Sequence, residues 1–198
     1  MRLVTTYSII ILTFLGCQKG EEDPAISLIS RKARLTGTWD LFEMSSATNQ
    51  TTQEFQKGVL TSTLNDTSIT STNYSLVYVF DRAGGYEFTE ISSLPEDITI
   101  NRDAYTRNVI ENGNWEFTGG NGEPSKSQLL LMQTRREISE SDQGSNVNIT
   151  TTESPSSGIV NDIIKLSSDE LKLQMSELES FGGGSMRNEQ FLYFKKRE

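Results

Sequence analysis

The chain has 198 residues, a formal charge of −9, one cysteine and no histidine. Without histidine the commonest general base, the commonest metal ligand and the Ser-His-Asp triad are all excluded. Basic residues fall in short, separated clusters at 31–34, 135–136 and 195–197. An acidic chain of that kind argues against nucleic-acid binding.

The N-terminus reads "MRLVTTYSIIILTFLG", with Arg2 as its one charge and its most apolar run at Ile9–Leu12. A positive start, a brief apolar core and a small final residue predict a secretory signal peptide over residues 1–16. The stretch is too short for a spanning helix, which needs about 20 apolar residues. Cys17 follows at once. An exported thiol with no partner in the chain has no disulfide to make. "FLGC" resembles the lipobox of bacterial lipoproteins: Gly16 fits the small residue before the cut, while Phe14 and Leu15 differ from the commonest form. The resemblance implies cleavage before Cys17 and a lipid on its sulfur. Residues 17–23 would then be the lipidated cysteine and an acidic tether. "QKGEED" is similar to the tethers of surface-exposed Bacteroidetes lipoproteins, and Gln18 is not the aspartate of inner-membrane retention. Both imply the outer membrane. The plainer reading of the tether is a solvated charge run.

Residues 24–198 are long enough for one domain with a sizeable core. "DPAISLISRKARLTG" predicts a short helix capped by Asp23, with Pro24 first and Gly37 closing it. Ile26, Ile29 and Ala33 would share its buried face. From Thr38 the apolar period changes to two. Strands are expected at 38–44, 74–81, 85–91, 113–117, 127–138 and 146–152. A strand–turn–strand is expected over 162–175 with its turn at 167–170, and a last strand at 189–196. "DRAGG" marks a hairpin between the second and third. Tyr74, Leu76, Tyr78 and Phe80 fall on one face. With no long helix between them, these roughly nine segments should pair antiparallel, as a sandwich or closed barrel.

Residues 45–73 break the rhythm: 13 of them are Ser or Thr. The segment reads as a long loop with a short helix at "TTQEFQKGVL", placed to act as a lid.

"LTGTWDL" resembles the Gly-x-Trp signature of lipocalins. With "YVFDRAGGYEF", "NGNWEF", "IIKLSSDELKL" and "FLYFKK" it is similar, over most of residues 24–197, to the lipocalin-like domains of Bacteroidetes lipoproteins. That resemblance implies an all-β, antiparallel up-and-down barrel of about eight to nine strands with a short N-terminal helix. It makes Gly37 and Trp39 structural residues at the barrel bottom, and it brings no catalytic residues.

No phosphate loop is present, since "GGG" at 182–184 lacks the lysine and preceding strand, and "ESDQGSN" lacks the glutamate of a calcium loop. No enzyme activity, cofactor or metal is therefore expected. The expected function is an outer-membrane-anchored barrel that binds a small apolar or amphipathic ligand, lined by Tyr74, Leu76, Tyr78 and Phe80. The alternative is a non-catalytic module docking on another cell-envelope protein. A small eight-stranded barrel can serve either way: filled by its own side chains, or holding one ligand.

Overall fold

The computed structural model of the chain describes residues 29–48, 51–64, 67–95, 104–119, 127–142, 148–153, 158–181 and 184–198. The expected signal peptide, Cys17, the tether and most of the "GGG" and "ESDQGSN" turns lie outside them. Among the described residues one helix, α1 (Arg31–Leu35), precedes twelve strands. These are β1 (Gly37–Ala47), β2 (Thr51–Gln56), β3 (Val59–Leu64), β4 (Thr67–Ser71), β5 (Ser75–Phe80) and β6 (Gly85–Leu94). They continue with β7 (Tyr105–Thr118), β8 (Gln128–Asp142), β9 (Asn148–Glu153), β10 (Ile159–Leu166), β11 (Glu170–Phe181) and β12 (Gly184–Lys196).

Eight strands close a ring in the order β1-β5-β6-β7-β8-β10-β11-β12, with β12 pairing back on β1. All pairings are antiparallel, so the fold is the expected up-and-down barrel. Closure removes the open edges that so many short strands would otherwise leave.

Three bulges set which residues face inside, and two of them keep apolar residues there. In β1 the register slips at Phe42, so Trp39 and Leu41 face in before it and Met44 after it. Without the slip, the side-chain alternation would put Met44 outside. Ile164 in β10 does the same between buried Ile163 and Leu166. A third bulge, at Thr134, carries β8 from Gln133 to Arg136.

The barrel is filled at one end and open at the other. At the filled end Trp39, Phe80, Leu129, Leu166, Leu171 and Phe194 are fully buried, and Leu35 of α1 joins them. The Trp39 Nε1–H donates to the Leu35 carbonyl at 2.7 Å. Lys196 Nζ lies 5.0 Å over the Trp39 ring and donates to the Arg34 carbonyl at 2.8 Å. Arg34 in turn donates to the Leu166 carbonyl, and Arg31 and Lys32 lie over Phe117 and Trp115 at 5.7 and 5.6 Å. The helix is a cationic plug. Its stems are buried, and its charges rest on ring faces and carbonyls.

The helix lies within the expected span, and Asp23, Pro24 and Ile26 are outside the described residues. It starts only after Ser30, whose side chain accepts from Ala33 N, and Ile29 lies in a bend, 53% exposed. The buried side is Arg31, Arg34 and Leu35 rather than the Ile29/Ala33 face. The aromatic rim beneath the helix accepts cations, so the apolar pattern was not the deciding one.

The expected hairpin at Asp81–Gly85 forms: Asp81 Oδ1 accepts from Gly84 N and Gly85 N, both at 2.8 Å. Ser167 likewise accepts from Glu170 N at 2.9 Å in the turn between β10 and β11.

The loop and helix expected over 45–73 are not found. β2 and β3 form a hairpin about Lys57 (φ 53°) and Gly58 (φ 80°), and β4 pairs with β3. Two successive positive φ values make a tight hairpin turn, and β-branched threonine favours the strands beside it. Phe55 is buried, opposite Met44 and 5.3 Å from the Tyr74 ring. Val59, Leu64 and Ile69 stay exposed rather than packing down as a lid.

Candidate functional site

These extra strands shape the open end. Near α1, β1 pairs with β5 through residues 37–40; farther up it pairs with β2 through residues 43–47. The β2–β4 unit widens the wall and returns to β6, where Ser71 Oγ donates to the Ser93 carbonyl at 2.6 Å. On the far side β8 forks in the same way, pairing with β10 low down and β9 higher up. More strands give a wider barrel, and the upper half holds a cavity of about 420 Å³.

The cavity floor is apolar and aromatic. Tyr78 stacks on Phe80 at 5.4 Å with nearly parallel rings, and meets Phe88 at 5.0 Å. Leu76, Leu131 and Leu192 complete the floor. The wall of β6, β7 and β8 is polar. Glu111 stands in register between Phe88 and Arg136, and Glu90 lies two residues along β6. The opposite wall carries Met44, Leu60 and the amides of Gln53, Asn161 and Gln190.

Charges are costly here. Burial raises the pKa of the Glu90 carboxyl, and nearby Arg107, Arg136 and the Tyr74 hydroxyl only partly offset it. Tyr86 donates to Glu111 Oε1 at 2.5 Å. Tyr74, Tyr78 and Tyr86 are all pushed up, first by burial and then by Glu90 or Glu111. Their hydroxyls stay protonated, those of Tyr74 and Tyr86 donating to Glu90 and Glu111. Arg107 reaches Glu140 at 3.8 Å, toward the mouth.

Of the four residues expected to line a ligand, Tyr74, Leu76 and Tyr78 line the cavity. Phe80 does not: β5 runs toward the plugged end, and its last ring is 1% exposed beneath Tyr78, against Trp115 at 6.0 Å. Gly37 and Trp39 lie at the plugged end, away from the cavity. Gly37 has φ +133°, a glycine conformation, and its Cα lies against the Lys196 side chain. Cys17 lies outside the described residues.

Glu90, Glu111, Gln133, Arg136 and Asn161 were not singled out from sequence. Period-two reasoning looks for apolar residues facing in, and the bulge at Thr134 reverses the parity of β8 where Arg136 turns inward. Among the described residues no group of three His, Cys, Asp or Glu side chains is placed to hold a metal ion.

A second concavity of about 520 Å³ lies on the outer face where β11, β12, β1 and β2 meet. Glu43, Glu54, Lys172, Phe191 and Tyr193 reach it from the sides of their strands opposite the buried positions. Beside it Phe42 meets Tyr193 edge-on at 5.3 Å, and Lys195 Nζ lies 3.8 Å from the Phe42 ring centre. Tyr193 donates to Glu170, and burial and that carboxylate push its pKa up to about 12. This groove is larger, but it lies on the solvent side of the wall. The lumen is the enclosed site, with an apolar floor and convergent polar groups.

The chain was compared with protein-family models, curated proteins and solved structures, and it matches none of them.

Proposed function

We propose that this chain is an outer-membrane lipoprotein of the lipocalin-like kind, held by acylated Cys17, whose barrel binds one small apolar or amphipathic ligand. The observation that carries the binding reading is the cavity of about 420 Å³ in the upper half. Sites for small ligands span about 300–1,000 Å³ and are mostly apolar with a few fixed polar groups. A barrel that served only as a filled module would interdigitate its side chains throughout. Here the fully buried rings, Trp39, Phe80 and Phe194, gather near α1, and the upper half keeps a cavity beside its buried side chains.

The anchor reading rests on the "FLGC" motif. Each buried methylene contributes about 0.8 kcal/mol, so two or three acyl chains on one residue make a stable anchor. An alkyne fatty acid should label the protein, and Cys17→Ser should lose the label and leave the membrane. Equal labelling of both would remove this part of the proposal.

Native mass spectrometry of the protein purified from its own membranes tests the binding. A one-to-one small-molecule adduct is expected, and Leu60→Trp, which fills the lumen from β3, should lose it. The exposed Phe42 and Phe191 beside the outer groove favour a second reading, docking on another envelope protein. An empty barrel in both proteins, with a partner lost on Phe42→Ser, would make that the better account.

A further inference from the structure

We propose that the lumen selects an amphipathic amine, its cationic head against Glu90 and the Tyr74 and Tyr78 rings and its apolar chain on the floor at Leu76, Phe88 and Leu131. The inference rests on the lumen being a ligand site and names the ligand class.

The first observation is the sign of the polar wall. Glu90 and Glu111 line the cavity with one cation, Arg136, and Arg107 acts on Glu90 from beyond the lining. Glu111 already accepts the Tyr86 hydroxyl and stands in register with Arg136. At Glu90 burial outweighs both arginines and Tyr74. The second observation is the aromatic setting. Tyr78 packs on Phe88 at 5.0 Å, Tyr74 lies beside Phe55, and the Tyr74 hydroxyl hydrogen-bonds Glu90. Ring faces attract a cation within about 6 Å, and more strongly once water is excluded. The third is the raised pKa of Tyr74, Tyr78 and Tyr86, to which Glu90 or Glu111 contributes in each case. At all three hydroxyls burial is the larger cause, and the neighbouring carboxylate adds to it. An ammonium placed there meets a carboxylate and ring faces together. A carboxylate ligand meets two like charges.

The test titrates decylamine, decanol and decanoate, each below its micelle concentration, into the full chain carrying Cys17→Ser and followed by calorimetry. Decylamine should bind at least about tenfold more tightly than decanol, with decanoate weakest. Glu90→Gln, close in size and free of the ionisation cost, should cut the preference for decylamine over decanol to under about threefold. If none of the three binds, the lumen reading itself fails, and this inference with it. If decanol or decanoate binds as tightly as decylamine, the lumen reading stands and the amine assignment is overturned. An undiminished amine preference in Glu90→Gln also overturns it.

Discussion

Replacing Trp39 by alanine removes the residue on which the plugged end converges. The indole is fully buried among Phe80, Phe194 and Leu35. Truncating a buried tryptophan costs about 3–5 kcal/mol in transfer and cavity terms. The Leu35 carbonyl loses its donor, roughly 1 kcal/mol more, and Lys196 loses the ring beneath it, about 0.5–1 kcal/mol. The expected loss is therefore about 4.5–7 kcal/mol, or a Tm fall of roughly 10–25 °C for a domain of this size. Trp39→Phe keeps most of the apolar area and should lose about 1–2 kcal/mol. Urea unfolding followed by the fluorescence of Trp115, the other tryptophan and itself buried, measures both variants in one protein. A double-mutant cycle with Lys196→Met should return a coupling near 0.5–1 kcal/mol. A loss below about 1 kcal/mol for Trp39→Ala would mean that helix, tryptophan and Lys196 do not unfold with the barrel as one unit.

Gly113→Ala should destabilise by about 1–3 kcal/mol, because a Cβ there would stand 2.2 Å from the Met132 carbonyl oxygen and 2.5 Å from the Tyr86 ring. Gly58→Ala meets no atom within 4 Å and bears only the strain of φ 80°, so its urea midpoint should fall by the equivalent of about 1 kcal/mol. Equal losses at the two sites would contradict the packing described for Tyr86. The Glu90 pKa is raised on folding, so in the pH range between the unfolded and folded values the native state holds the extra proton and stability falls as pH rises. Glu90→Gln should therefore match the parent below about pH 4.5 and become the more stable of the two as pH rises toward neutrality. A variant less stable than the parent at pH 7 would reverse the sign assigned to this group. Deleting residues 49–72, which removes Phe55 and Leu60 with the whole β2–β4 wall, should abolish ligand retention and raise binding of an apolar dye. Retained ligand would show that the lumen lies elsewhere.

Much of the barrel was legible because its determinants are local. Period-two segments such as 74–81 and 85–91, the Asp81 turn with its glycines and the Ser167 turn each declare themselves within a few residues. Gly37 and Trp39 could be placed because a short helix, a glycine and a tryptophan occur together. The β2–β4 unit was not legible. Its strands are polar on both faces and bury little beyond Phe55 and Leu60, so pairing with β1 rather than apolar alternation decides their structure. The first half of β7, residues 105–112, was missed for the same reason: its inward positions include Arg107 and Glu111 beside Val109. The candidate site sits where polar residues face inward, and a pattern built on apolar residues cannot see it. The buried face of the helix was not legible because it is cationic, and an aromatic rim contributed by distant strands sets that preference.

The central claim, that the upper half of the barrel is a ligand site rather than a filled core, is tested most directly with a neutral fluorescent probe. N-phenyl-1-naphthylamine is titrated into the full chain carrying Cys17→Ser, and into the same chain with Leu60→Trp added. One saturable site with enhanced emission in the first, lost in the second while both unfold at similar urea concentrations, is the expected result. No enhancement in either, or equal enhancement in both, would contradict the account.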